Sequence, residues 1–171
     1  MLYHGTVTGG LSVIKANAKS HMSGGDVAYF TEDRCYALVC CRSRNENFVT
    51  MGLKDDGKQH YYERFPDQLK ILYSGRQGYL YLTETTAGLK HTKGHTWESG
   101  KDVAVERCEI IDDVYDELLK EVEKGNMIFH RYSEIDPAEQ KMHADYIREH
   151  ADADGEEMRR FYIAHFSSMW S

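Results

Sequence analysis

The chain opens on a short apolar stretch, Met1-Leu2-Tyr3, that runs into His4-Gly5-Thr6 and then Gly9-Gly10, a pattern that predicts a brief strand ending in a loop. Leu11, Val13, Ile14 and Ala16 predict a short helical or irregular turn, and the polar residues 19–25 predict a loop beside a site. Residues 27–31 read as a buried strand. Glu32, Asp33 and Arg34 then open a helix whose Tyr36, Ala37, Cys40 and Cys41 share a face. Residues 48–52 and 59–65 flank Asp55-Asp56-Gly57, and an Asp-Gly pair between β-prone runs predicts a hairpin. Pro66 suits the first turn of a short helix with Leu69, Leu72 and Tyr73 inward, closed by Ser74-Gly75. Residues 78–83 carry the clearest strand pattern, and a polar excursion over residues 84–101, long enough for a functional loop, precedes a strand over residues 103–111.

Beyond Asp112 the period changes from two to nearly four. Val114, Leu118 and Val122 define an amphipathic helix stopped by Gly125, and Asp136-Pro137 opens another with Ala138, Met142 and Tyr146 in a stripe. Met158, Phe161, Tyr162, Phe166 and Met169 predict a third. Strands first and helices afterwards give an α+β chain, read as one domain over residues 1–171: a β-rich part over 1–111 and a helical part over 112–171.

Composition narrows the function classes. The formal charge of −7 repels phosphate backbones and anionic membranes, so neither nucleic acid nor membrane is an expected partner. No apolar run approaches the roughly 20 residues of a membrane span, and the start lacks a signal-peptide pattern, so a cytoplasmic protein is expected. Cys35, Cys40, Cys41 and Cys108 form no CxxC pair and read as reduced thiols, mostly buried.

Two segments carry candidate chemistry. His4 at a strand end offers an imidazole for hydrogen bonding, and Gly5 beside it lets a ligand approach the backbone. Tyr29-Phe30 at a strand-to-helix edge offers a ring for stacking on a flat heterocycle, with core packing as the competing role. His91 and His95 have the spacing of metal ligands on a helix, but Lys93-Gly94 between them disfavours a helix and no metal is expected. Glycine-rich phosphate-binding motifs are absent.

Taken together, Leu2-Tyr3-His4-Gly5-Thr6 and Val27-Ala28-Tyr29-Phe30-Thr31-Glu32-Asp33, with Tyr36-Ala37-Leu38 behind, resemble the NAD-binding half of ADP-ribosyltransferases of the diphtheria-toxin and poly(ADP-ribose) polymerase type. The chain is also similar to small bacterial proteins of ADP-ribosyltransferase-like fold, over residues 65–69, 78–81 and 113–115 as well. The resemblance implies a split mixed β-sheet in the N-terminal two thirds, a helical C-terminal third, and NAD as substrate with a protein acceptor.

By the same resemblance, His4 would bind a ribose hydroxyl, the backbone of Gly5, next to Thr6, the nicotinamide carboxamide, and Tyr29 would stack on the nicotinamide ring. Ala37 and Cys40 stand where polymerase-type members tend to carry a serine and a second stacking tyrosine, a place Tyr36 would fill. The catalytic glutamate of the family begins a late strand, here expected at residues 102–106. Asp102 stands at that start and Glu98 four residues earlier in the loop, so either is the candidate carboxylate. The alternatives are a catalytically inactive binding protein of this fold and an RNA 2′-phosphotransferase-like enzyme, which would need several arginines near His4 and Tyr29.

Overall fold

The computed structural model describes residues 1–20, 22–42 and 49–150, together with Glu156, Arg159, Arg160, Ile163 and Ala164. In chain order the elements are β1 (Leu2–Thr6), β2 (Val13–Ile14), β3 (Ala18–Lys19), β4 (Asp26–Thr31), α1 (Arg34–Val39), β5 (Thr50–Leu53), β6 (Gln59–Tyr62), α2 (Gln68–Tyr73) and β7 (Gly78–Thr83). They continue with β8 (Lys90–His91), β9 (Thr96–Ser99), β10 (Val103–Ala104), β11 (Arg107–Ile111), α3 (Val114–Glu123), β12 (Met127–His130), a 3-10 turn (Tyr132–Glu134) and α4 (Pro137–His150). The chain divides into two compact units, residues 1–42 with 73–126 and residues 43–72 with 127–171. The class is α+β.

The first unit is built on a sheet in the order β11-β7-β1-β4-β9-β8, with β3 also on β4. Its pairings are antiparallel throughout, which departs from the mixed sheet expected. Strand β1 pairs with β7 at five positions but with β4 only at Tyr3–Thr31, so the ladder opens between β1 and β4. On one face Leu2, Ile14, Ala28, Phe30 and Tyr81 form a buried cluster. Helix α1 covers the other side of β1. Gly5 makes this possible, because a Cβ there would lie 1.7 Å from the Ala37 carbonyl oxygen.

Asp33 caps α1 by accepting from the Tyr36 amide, so it acts outside the helix and the first turn itself holds no acid. Of the four residues expected to share a face, Ala37 and Cys41 are buried while Tyr36 is 39% exposed and Cys40 intermediate, because the sheet and open cleft divide that face. Arg34 bonds Glu109 at 2.5 Å, Glu117 at 2.9 Å and Glu121 at 3.0 Å, joining α1 to β11 and α3. Within residues 11–16, expected as a short helical or irregular turn, Val13–Ile14 form β2. The long strand expected over 103–111 is broken: β10 pairs with β2, and β11 pairs with β7.

In the second unit the Asp55-Asp56-Gly57 hairpin joins β5 to β6, with Gly57 at φ 76°. Strand β12 adds to β6 in parallel and interrupts the purely helical C-terminal part expected from the sequence. The buried Glu63 carboxylate accepts from the Leu69 and Tyr132 amides, both at 3.0 Å, satisfying two backbone donors. Helix α4 has the expected period with a different inward face. Ile147 is buried, whereas Met142 and Tyr146 are 60% and 45% exposed. Most of the helix expected beyond residue 155 lies outside the described residues.

Candidate functional site

An open cleft of about 360 Å³ lies where β1 and β4 part, within the first unit. That volume is in the range of small-molecule sites. His4 and Gly5 line it from β1, Tyr29 from β4, Tyr36 and Ala37 from α1, and Glu98 from β9. Phe30, Cys40 and Met22 add apolar or thiol surface, and Lys93 is the one lysine or arginine in the lining among the described residues.

Beside this opening His4 reaches the main chain of β4. Its Nδ1 lies 2.8 Å from the Tyr29 carbonyl oxygen. A carbonyl only accepts, so Nδ1 carries the proton and the neutral ring keeps Nε2 as an acceptor. Burial pulls the His4 pKa below the ordinary histidine value, outweighing the carbonyl bond that raises it. The ring packs 5.8 Å from Phe30, tilted by 55°. His4 is thus a fixed, neutral hydrogen-bonding group.

Tyr29 and Glu98 are direct partners across β4 and β9. Opposite residues in an antiparallel ladder project to the same face with Cβ atoms about 5 Å apart. The Tyr29 hydroxyl donates to the Lys19 carbonyl at 3.0 Å, which anchors the edge of the ring. The Glu98 carboxylate accepts from the Ser20 hydroxyl at 2.9 Å. The Ser20 oxygen meanwhile accepts from the Met22 and Ser23 amides, both at 3.1 Å, so its single proton is directed to Glu98. Ser20 is itself buried.

The two candidate carboxylates are therefore placed differently. Glu98, expected in a loop, is inside a strand and in the cleft lining, because β8 and β9 fold the polar excursion back onto the sheet. Asp102 is exposed and outside that lining, held by Lys15 at 2.7 Å and the Ala16 amide at 3.0 Å. The bond from Lys15 holds the Asp102 carboxyl below its ordinary range. Thr6 likewise does not line the cleft; its hydroxyl accepts from the Thr8 amide.

Gly5 lines the cleft, and its missing side chain serves the approach of α1. Tyr36 lines the cleft and is partly exposed, its hydroxyl pKa raised by partial burial. Cys40 lines the wall with its pKa raised by burial, which makes it a poor thiolate source.

Ser20, Lys93 and Met22 join the site without a sequence signal of their own. The polar run over residues 19–25 signalled a loop beside a site, but nothing local marks Ser20 as the partner of a residue 78 positions away. His91 and His95 do not converge: His91 Nε2 donates to the Gly94 carbonyl at 2.8 Å, and His95 faces Glu32 at 3.6 Å. Among the described residues no group of three or more His, Cys, Asp or Glu could hold a metal ion, and no helix is long and apolar enough to cross a membrane. Comparison with protein-family models, curated proteins and solved structures finds no match for this chain.

Proposed function

We propose that the cleft binds NAD by its nicotinamide and adjoining ribose, and that the chain is an ADP-ribosyltransferase-like protein transferring ADP-ribose to a macromolecule or to water. One observation carries the reading. Tyr29 and Glu98 share a face on neighbouring strands and His4 is bonded to the Tyr29 carbonyl, so a stacking ring, a carboxylate and a neutral imidazole meet in one cleft.

In this reading Tyr29 stacks on the nicotinamide ring and His4 Nε2 accepts from a ribose hydroxyl. The ribose–nicotinamide C–N bond breaks and nicotinamide leaves with the bonding pair. Positive charge develops on the sugar carbon, where Glu98 stabilises it. The acceptor oxygen or nitrogen then bonds that carbon and releases its proton to solvent.

Calorimetric titration of the purified protein with NAD, beside nicotinamide alone, tests the binding half. Saturable NAD binding that is weakened in Tyr29→Ala supports the reading. A folded protein that binds neither compound contradicts it.

A further inference from the structure

We propose that Asp56, His60 and His130 form an acid-sensitive latch that holds β12 on β6 and opens when both imidazoles become charged. His60 Nδ1 faces His130 Nε2 at 2.9 Å, and His60 Nε2 faces Asp56 Oδ2 at 3.0 Å. The imidazoles stack 5.1 Å apart at 25°, and His130 lies flat on Tyr62 at 4.2 Å and 2°. Two histidines from two parallel strands and a carboxylate from the hairpin turn thus make one chain within the second unit.

Proton counting fixes how this chain behaves. Ionised Asp56 accepts from His60 Nε2–H, so in neutral His60 Nδ1 is a bare lone pair. His130 must then donate from Nε2, leaving its own Nδ1 bare. One added proton is taken up at that nitrogen with every bond intact. A second added proton puts N–H on both facing nitrogens, and two donors 2.9 Å apart repel. The latch therefore tolerates one positive charge and not two.

The surroundings oppose the second charge. Lys54, whose Nζ lies 5.4 Å from the Tyr62 ring centre, adds positive potential from the hairpin, while Glu134 opposes it from beyond β12. Burial, then His60, then Lys54 lower the His130 pKa against Glu134. Asp56 stays ionised through the histidine range, its pKa lowered by the bond to His60 and by Lys58 next to it. A histidine with a lowered folded pKa binds fewer protons folded than unfolded, so its contribution to stability is present at neutral pH and lost as pH falls.

The test is an NMR titration of the two imidazoles in the full chain, treated with chelator, together with amide exchange of residues 127–130 at neutral pH and at about pH 5. The expected result is two coupled steps separated by more than about one pH unit. Protection of β12 should fall at least about tenfold more than that of β7 across the second step. His130→Phe keeps the stack on Tyr62, removes one base and should retain β12 protection in acid. Independent one-step titrations near the ordinary value in the wild-type chain would overturn the latch, as would equal acid loss in folded His130→Phe. If that variant does not fold, the wild-type titration decides alone.

Discussion

Tyr29 on β4 and Glu98 on β9 stand directly opposite each other, so an aromatic ring and a carboxylate leave the sheet on the same side. The relationship belongs to the backbone register and not to a flexible loop. It predicts separable effects at Tyr29. Tyr29→Ala should weaken NAD binding about tenfold through lost stacking. Tyr29→Phe should remain within about twofold, because the stacking face is kept and the hydroxyl bond to the Lys19 carbonyl lies at the ring edge. Calorimetry on the two variants checks this, and equal losses in both would place the binding determinant in the hydroxyl.

Ser20 acts on Glu98 and does not itself line the cleft. Losing its hydroxyl frees the carboxylate to swing and leaves the Met22 and Ser23 amides without their acceptor. Ser20→Ala should lower kcat for nicotinamide release about tenfold or more with KM nearly unchanged. Ser20→Thr should restore part of it. A change confined to KM would assign Ser20 to substrate binding.

Burial keeps His4 neutral, with its pKa below the ordinary histidine value. The sign follows: the folded form resists protonation, so the group favours folding at neutral pH and that contribution is lost as pH falls through the histidine range. NAD affinity should therefore be flat through neutral pH and fall only below the ordinary histidine range, where a protonated Nε2 can no longer accept. Affinity measured across this range in wild type and His4→Gln checks it, and a fall of the same size in the variant would remove His4 from the explanation.

At Gly5 a methyl group would collide with the Ala37 carbonyl. Gly5→Ala should lower stability by about 2–4 kcal/mol by pushing α1 off β1. Gly10→Ala has open space and costs only the strain of φ 74°, on the order of 1 kcal/mol. Denaturant melts of both variants compare the two costs directly.

Where structure followed from neighbours in the chain, the sequence was readable. Gly78 to Thr83 alternates within a β-prone run and is β7, and Asp56-Gly57 between two such runs is the hairpin turn. The cleft needed more distant information. Thr96-Trp97-Glu98-Ser99 looks like loop because it is short and polar, and it becomes a strand only by pairing with residues 28–31. Asp102 stands at the expected strand start and Glu98 four residues before it, and counting does not choose between them; the chain turns at Ser99 to Lys101 and carries Asp102 to Lys15. In α4 the period was visible, but Ile147 and not Met142 or Tyr146 lies inward, because period alone does not choose the face.

The most direct measurement is nicotinamide release from NAD by wild type, Glu98→Gln and Asp102→Asn, each shown to be folded. Release is expected from wild type, with a loss of about 100-fold or more in Glu98→Gln and a rate within about twofold of wild type in Asp102→Asn, whose carboxylate lies outside the cleft lining. Release that survives in Glu98→Gln, or that is lost only in Asp102→Asn, would contradict the assignment of the cleft.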